Sequence, residues 1–321
     1  MEIREIRLEE LDVRQFVEDK VKEIRYTIGN NLAVNALSGG VDSSVVTILA
    51  HRALGNRLKS YFIENGLMRE GEPEQVVSLF KKLGVEVELI DVKKEFFNAL
   101  KDVVDPEEKR EAITQTFYKT VFGKITRDNR IKYLFQGTNF TDVEETVAKI
   151  KRQHNVLQQL GIDTEKIFGY KVLEPIIQLR KPAVRKVAKY LDLPERIYNR
   201  HPFPGPALAA RVIGEANPER ISLVRKATKI VEDELENVNA FQYLAILHED
   251  KVTGIRSGKR EFGYQIEVRC WNSIDAQTAS PTKLPFDVLE RLADRLTAEV
   301  EGVVSVTYNI TKKPPSTIEA V

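Results

Sequence analysis

The chain has 321 residues and a formal net charge of +1, with 30% charged residues of both signs, so its charge indicates neither a basic nucleic-acid-binding surface nor an acidic tail. Its single cysteine, Cys270, excludes an internal disulfide framework, a multi-cysteine zinc site and a paired-cysteine redox motif. The sequence shows no signal-peptide pattern and no run of roughly 20 apolar residues, so we expect a cytoplasmic protein without a membrane partner. The chain length favours two domains, and the balanced charge favours a small-molecule substrate and no nucleic-acid partner.

The first half of the sequence alternates between predicted strands and helices. An amphipathic helix opens the chain, and a buried strand, 32–37, follows it. The next predicted elements are helix 45–54, strand 61–63, helix 73–83, strand 85–90, helix 106–126, strand 131–135, strand 171–175 and helix 181–191. Between the last two strands, residues 141–159 are charged and lack an apolar stripe, which fits either a mobile cover or a solvated helix. This order predicts an α/β fold with a doubly wound parallel sheet, which binds ligands at the carboxyl ends of its strands.

The second half follows a different pattern. Prolines at alternate positions in His201–Pro206 exclude helix and central strand and indicate a domain boundary. Beyond it we predict helix 218–235, strands 241–247 and 262–269, helix 285–300 and strand 303–310, with antiparallel pairing. The segment 254–260 lacks Walker spacing and is expected to be a hairpin loop, and Cys270 is expected to be a small buried hydrophobe. The predicted domains are therefore 1–200 and a smaller α+β domain, 201–321.

A glycine-rich turn joins the first predicted strand to the next helix. Its glycines let the backbone approach a phosphate closely, its serines offer hydroxyls, and the helix N-terminus favours anions. No lysine stands at the Walker A position, which argues against γ-phosphoryl transfer. A serine-rich helix cap without a ligand is the alternative. The pattern S-G-G-V-D-S-S resembles the pyrophosphatase loop of proteins that cleave ATP between the α- and β-phosphates. The candidate ATP-binding residues are therefore Ser38, Gly39, Gly40, Val41, Asp42, Ser43 and Ser44.

Further segments extend this resemblance to a specific family. They are Glu64–Leu67 with Arg69, Gln136–Thr138, Asp142–Val143 with Glu145, His201–Pro206, the run from Gly254 through Arg260 and Tyr264 to Arg269, and Lys313–Glu319. Over nearly its whole length the chain is similar to the ATP pyrophosphatase part of GMP synthetases. The resemblance implies an adenine nucleotide alpha hydrolase-like domain followed by a C-terminal dimerisation domain. It also implies conversion of XMP to GMP, in which ATP adenylylates the C2 oxygen of xanthine, pyrophosphate leaves, and ammonia displaces AMP.

The resemblance also assigns residues outside the loop. Asp42 and Lys151 are the catalytic candidates, and Gly137 joins the ATP site. Lys151 lies in a lid-like segment, 150–156, in which Arg152 and Gln153 depart from the family pattern, so Gln153 receives no catalytic role and the role of His154 is left open. Asp142 and Glu145 are Mg²⁺ candidates because hard cations prefer carboxylate oxygens, although solvated surface carboxylates are an equal alternative.

For the XMP phosphate, the resemblance indicates Lys313, the backbone of Ile318 and Glu319, and Arg110. The residues alone favour a different interpretation of this terminal segment, a frayed basic tail.

Partners and alternatives complete these expectations. The ATP loop begins within the first forty residues, and no glutaminase precedes it, so the resemblance implies a separate glutamine amidotransferase subunit, with free ammonium as the other ammonia source. A homodimer is expected. The alternative functions are another pyrophosphatase-loop ligase such as NAD synthetase, a tRNA-modifying or RNA-binding member, and a non-catalytic adenine-nucleotide-binding module.

Overall fold

The computed structural model describes the backbone of residues 3–117, 121, 125, 131–147, 170–274 and 276–320, and the side chains of all of these except 145–147. Contacts divide the chain into two compact units. The first comprises Met1–Glu64, Glu72–Asp91 and Tyr118–Arg200, and the second comprises Asn65–Gly71, Val92–Phe117 and His201–Val321. The boundary between residues 200 and 201 falls at the start of the proline-rich segment, whereas Asn65–Gly71 and Val92–Phe117 group with the second unit. Local sequence patterns do not show such grouping, because it depends on contacts between distant residues.

A five-stranded parallel sheet organises the first unit, as predicted. Its strands have the spatial order β3-β2-β1-β4-β5. Because the strand order reverses on either side of β1, the carboxyl end of β1 lies at the topological switch point, where open α/β sheets bind ligands. The bounds are β1 (Leu32–Leu37), β2 (Leu58–Glu64), β3 (Val87–Asp91), β4 (Ile131–Phe135) and β5 (Lys171–Leu173).

Some of the helices begin at a side-chain cap that the sequence offers. Asp12 accepts a hydrogen bond from the Gln15 amide at 3.0 Å and caps the first helix, and Asp105 and Asn217 cap two later ones. In chain order the helices are α1 (Val13–Ile28), α2 (Val41–Leu54), α3 (Glu72–Lys82), α4 (Lys93–Leu100), α5 (Pro106–Gln115), α6 (Phe140–Val147), α7 (Lys181–Tyr190), α8 (Glu195–Tyr198), α9 (Pro218–Glu234) and α10 (Phe286–Glu299). Of these, α4, α5, α9 and α10 belong to the second unit.

A buried polar network fixes β1 to its neighbours. The Asn35 amide donates to Thr47 Oγ1 on α2 at 2.6 Å, and Ser60 Oγ on β2 donates to Asn35 Oδ1 at 2.6 Å. All three side chains are buried, so each hydrogen bond replaces one that water would otherwise make. The network thereby holds α2 and β2 against β1.

The second unit contains a four-stranded sheet built on a long hairpin, β6 (Gln242–Arg256) and β7 (Lys259–Asn272). Ser257 and Gly258 form its two-residue turn, with φ values of +49° and +75°, which confirms the predicted hairpin. Both β8 (Ser280–Pro281) and β9 (Val303–Tyr308) pair with β7. The predicted antiparallel pairing is confirmed by β6 with β7 and by β8 with β7, whereas β9 runs parallel to β7. The reason is that α10 intervenes and returns the chain in the same direction.

Two further sequence expectations concern single segments. Cys270 is buried on β7, as predicted, and burial raises the pKa of its thiol. The predicted cover, 141–159, begins with α6, whereas residues 148–169 lie outside the described part of the chain. Among the described residues, no helix is long and apolar enough to cross a membrane.

Candidate functional site

The turn between β1 and α2 is the centre of the candidate site in the first unit. Gly39 has a φ of +76°, and Gly40 is the N-cap of α2. Within the described chain, no side chain caps this helix, a feature that it shares with α4, α7, α8 and α10 but not with α1, α5 and α9. The first amides of α2 are therefore left for another acceptor, and the helix dipole favours an anion there.

The serine side chains of the turn are directed at its own backbone. Ser43 Oγ and Ser44 Oγ donate to the Gly40 carbonyl at 3.1 and 2.8 Å, and Ser38 Oγ lies 3.0 Å from Ser43 Oγ. These bonds hold the loop in shape without engaging the first amides of α2. The serines thus preorganise the loop in this ligand-free arrangement, and their hydroxyls remain close to any anion bound at the turn.

Gly39 is enclosed by residues that sequence reasoning missed. A Cβ built at Gly39 would lie 2.9 Å from Val76 Cγ2 and 3.2 Å from Glu72 Oε1, so both the space and the positive φ require glycine. Arg200 donates to the Gly39 carbonyl at 3.3 Å and forms an ion pair with Glu72 at 2.6 Å. Arg200 therefore places a cation beside the loop.

Asp42 lies in the first turn of α2 and forms an ion pair with Lys181, the first residue of α7. The pair uses Asp42 Oδ2, while Oδ1 is buried and has no hydrogen-bond partner among the described residues. A buried carboxylate oxygen left this way costs free energy unless a cation or donor reaches it. Lys181 is a second cation near the loop, and 139 residues separate it from Asp42, so no local pattern could have indicated it.

Gly137 packs directly against the loop, as its place among the predicted ATP-binding residues requires. A Cβ at this position would lie 3.0 Å from Ser43 N and 3.1 Å from both the carbonyl carbon and Cβ of Asp42. The next residue, Thr138, donates to Glu174 Oε1 at 2.5 Å, just beyond β5. The carboxyl ends of β1, β4 and β5 therefore meet at this point of the sheet.

The predicted Mg²⁺ ligands are only partly described. Asp142 Oδ2 accepts from the Asn139 amide at 3.0 Å, and Asn139 Oδ1 accepts from the amides of Thr141 and Asp142 at 2.9 and 3.3 Å. Asp142 therefore takes part in a reciprocal cap at the start of α6. The Glu145 side chain, Lys151 and His154 lie outside the described residues, which contain no group of three or more acidic, histidine or cysteine side chains able to hold a metal.

The predicted XMP-binding residues all lie in the second unit. Arg110, on α5, forms an ion pair with Glu107 at 3.3 Å. Lys313 forms a β-bridge with Ala279 and donates from Nζ to the Ala276 carbonyl at 2.7 Å. Ile318 is buried in a cluster that includes Trp271. The expectation of a frayed tail was therefore wrong, because distant strands hold this segment in place.

The carboxylate of Glu319 belongs to a buried polar cluster. Gln242 donates to Glu319 Oε1 at 2.7 Å, and Arg211 lies 3.4 Å from Oε2. Arg211 is fully buried, its guanidinium lies 5.0 Å from the Phe203 ring, and burial lowers its pKa. The Arg69 guanidinium stacks on the same ring, with its Cζ 3.9 Å from the ring centroid. The proline-rich segment that contains Phe203 is thus a support for the terminal segment as well as a boundary.

Comparisons with known proteins cover both units. The family model described as GMP synthase C terminal domain matches residues 229–320, and the NAD synthase model matches residues 11–207. The chain is 48% identical over 309 residues to one subunit of the glutamine-hydrolysing GMP synthase of Archaeoglobus fulgidus, covering 96% of this chain and 99% of that protein. The corresponding Methanocaldococcus jannaschii subunit is 43% identical over 313 residues, covering 96% and 99%.

A longer relative and a solved structure extend the comparison. The glutamine-hydrolysing GMP synthase of Pyrobaculum aerophilum is 44% identical over 308 residues, which span 93% of this chain but 60% of that protein. Among solved structures, the NH3-dependent NAD synthetase of Campylobacter jejuni aligns with a TM-score of 0.45 and 18% identity over 59% of this chain and 78% of that one.

Proposed function

Because the chain belongs to this family of GMP synthase subunits, we propose that it is the ATP-dependent ligase that makes GMP from XMP, ATP and ammonia. The observation that carries this proposal is the uncapped, glycine-lined turn at the switch point of a parallel sheet, in a chain whose second unit matches the GMP synthase C terminal domain. The turn would supply an anion site for the ATP phosphates, and the match of the second unit to the GMP synthase C terminal domain favours XMP as the acceptor.

In the first unit, we assign the loop to the phosphates of ATP. The C2 oxygen of XMP attacks the α-phosphorus, the bond to the β-phosphate breaks, and negative charge develops on pyrophosphate. We propose that the first amides of α2 hold those oxygens, with the cations of Arg200 and Lys181, each ion-paired with a carboxylate, beside the loop. Positioning and electrostatics account for most of the catalysis that such a reaction needs.

The donor set near the loop fits Mg²⁺. This cation takes one or two carboxylates together with substrate phosphates, so it does not need a cage of three protein carboxylates. Asp42 Oδ1, buried and without a described partner, is a suitable ligand, with Asp142 and Glu145 as the further candidates. When bound, Mg²⁺ would neutralise phosphate charge on the leaving group.

In the second unit, we assign the XMP phosphate to Lys313, the Ile318 and Glu319 amides, and Arg110. A dianionic phosphate needs cations and N–H donors, and the ordered terminal segment provides both. Ammonia then attacks C2 and AMP leaves. Lys151 is proposed to neutralise charge when its segment covers the site, and exclusion of water there would protect the adenylylated base from hydrolysis.

The NAD synthase model supports one alternative, ligation to the carboxylate acceptor of NAD synthetases. That model matches residues 11–207, which carry the ATP loop, whereas residues 229–320 match the GMP synthase domain. The two functions share the ATP chemistry and differ in the acceptor. The second unit therefore favours XMP.

The names of the relatives, each one subunit of a glutamine-hydrolysing enzyme, support a further proposal, that a separate glutamine amidotransferase subunit supplies ammonia. We also propose a homodimer. Light scattering during gel filtration should give about twice the chain mass, and a purely monomeric protein would contradict the dimer.

The first experiment is an assay of the purified chain with ATP, Mg²⁺, XMP and ammonium chloride. We expect AMP, pyrophosphate and GMP in equal amounts, with no AMP when XMP is omitted and no GMP when glutamine replaces ammonium. AMP formation that does not depend on XMP, or no turnover at all, would contradict the GMP synthase assignment. Glutamine-dependent GMP formation by the chain alone would contradict the separate amidotransferase.

A further inference from the structure

Arg269, on β7, holds the backbone of the terminal segment. Its side chain is 9% exposed, and its Nη1 donates to the Thr317 carbonyl at 2.8 Å and to the Ile318 carbonyl at 3.3 Å. One guanidinium nitrogen therefore binds two consecutive peptide groups. Because Arg269 precedes Thr317 by 48 residues, this contact exists only in the folded domain.

The two carbonyls belong to the peptides that carry the proposed phosphate donors. The Thr317 carbonyl shares its peptide with the Ile318 amide, and the Ile318 carbonyl shares its peptide with the Glu319 amide. Neither bond is among the cis peptides of this segment, which lie at Lys313–Pro314 and Pro314–Pro315. In a trans peptide the N–H and C=O vectors point in opposite directions. The guanidinium thus turns both amides away from itself, and its charge polarises both peptides and strengthens their N–H groups as donors.

A carboxylate network fixes Arg269 in turn. Arg269 Nε donates to Glu267, which also accepts from Asn309 at 2.9 Å and lies 2.9 Å from His248 Nε2. Although burial alone would raise the pKa of Glu267, its hydrogen bonds with His248, Arg269 and Asn309 lower the pKa to about 2. Glu267 is therefore ionised at any pH at which the enzyme works. The guanidinium is held between a fixed anion and two carbonyls.

We propose that Arg269 is a positioning residue for the acceptor nucleotide, because it presents the Ile318 and Glu319 amides to an anionic phosphate without touching the nucleotide itself. This inference rests on the proposed binding of the XMP phosphate by those amides. Glu319 is held separately, through its carboxylate, by Gln242 and Arg211. Loss of Arg269 should therefore misdirect the amides without releasing the whole segment.

The same hairpin offers a matched control. Arg256 donates from Nε to Glu261 at 2.8 Å and from its two η nitrogens to the carbonyls of Thr297 and Val303 at 3.2 and 2.9 Å. It thus makes the same kinds of bond as Arg269. Arg256 lies at the turn of the hairpin opposite Lys259, which is ten positions along β7 from Arg269, or roughly 34 Å along the strand.

Steady-state kinetics of Arg269→Gln, Arg269→Lys and Arg256→Gln test the proposal. For Arg269→Gln we expect the KM for XMP to rise about tenfold or more, with kcat at saturating XMP and the KM for ATP within about twofold of wild type, because a ground-state binding interaction is lost. Arg269→Lys should recover part of the loss, and Arg256→Gln should match wild type. An unchanged KM for XMP in Arg269→Gln, or an equal rise in Arg256→Gln, would overturn the assignment.

Hydrogen exchange separates this inference from the proposed function. In the XMP-free protein, Arg269→Gln should speed deuterium uptake of the peptide covering 312–320, while Arg256→Gln should not, because Arg269 binds carbonyls of this segment and the described bonds of Arg256 go elsewhere. If wild type does not require XMP, the proposed function fails, and the exchange result still decides whether Arg269 orders the segment. Equal exchange in wild type and Arg269→Gln would refute the positioning role. If Arg269→Gln does not fold, Arg269→Lys carries both measurements.

Discussion

The substitution Gly40→Ala tests whether glycine is required at this position by the folded backbone or by a bound phosphate. Gly40 has φ −76° and ψ 160°, which any L-residue adopts. A Cβ built there meets Ser38 Oγ at 3.6 Å, an ordinary van der Waals distance, and no other described non-neighbouring atom within 4 Å. The folded chain therefore has room for alanine. If glycine is needed at this position, it is needed because a phosphate approaches the backbone closely.

The expected effect on stability is small because two contributions oppose each other. Alanine is a poorer N-cap than glycine by about 0.5–1 kcal/mol. It also restricts the unfolded chain, which stabilises the fold by about 0.4–1 kcal/mol where the native backbone suits it. The net change is close to zero, so Tm should shift by about 2 °C or less.

The expected effect on ATP use is large. A methyl group on the surface proposed to receive the phosphates would remove the equivalent of one charge-assisted hydrogen bond, worth about 1.5–3 kcal/mol. Since 1.4 kcal/mol corresponds to a factor of ten, kcat/KM for ATP should fall about 10- to 100-fold. The assay is pyrophosphate release at saturating XMP and ammonium, with ATP varied.

Gly84→Ala is the matched control. Gly84 has a φ of +80° and no neighbouring atom within 4 Å of a built Cβ, so alanine there meets backbone strain but no clash. It should cost about 1–2 kcal/mol of stability and leave the KM for ATP unchanged. If Gly40→Ala keeps kcat/KM for ATP within about twofold of wild type, the assignment of the loop to phosphate binding is wrong.

Two further predictions concern Gly137 and Lys109. Gly137→Ala would place a Cβ 3.0 Å from Ser43 N, so the backbone must shift. We expect about 1–3 kcal/mol of destabilisation in urea denaturation and a fall of about tenfold in kcat/KM for ATP. Wild-type kinetics in this variant would contradict the contact between Gly137 and the loop. Burial and nearby Arg220 lower the pKa of Lys109 from 10.5 to about 8, so Lys109 binds fewer protons in the folded chain than in the unfolded chain between these values, and its contribution to the free energy of unfolding should rise with pH from about 8 to 10.5. Burial raises the pKa values of Cys270, Tyr170 and Tyr308, which act in the opposite direction, so the comparison with a variant isolates the lysine. In urea denaturation, the stability of wild type relative to Lys109→Met should increase as pH rises through this range, and a constant difference between the two proteins would contradict this origin.

The first unit was largely predictable from sequence because its signals are local. The parallel sheet follows from the order of apolar strands and amphipathic helices, and the loop after β1 is continuous over Ser38–Ser44. The contacts of Lys181 and Arg200 with this loop were not predictable, because they join α7 and the end of the first unit to residues 139 and 161 positions earlier. Likewise, the parallel pairing of β9 depends on where α10 returns the chain, which strand periodicity does not specify.

The terminal segment shows why an interpretation based on neighbouring residues alone can fail. Lysines and prolines near a chain end favour a frayed tail when only neighbouring residues are considered. The partners that order the segment are Arg269, Gln242 and Arg211, which lie 48, 77 and 108 residues from the groups they hold. None contributes to the local pattern, yet together they fix both the backbone and the Glu319 carboxylate. If the terminal amides form the proposed phosphate site, that site depends on contacts made across the second unit, and substitutions on β7 that leave ATP binding intact should weaken binding of the acceptor nucleotide.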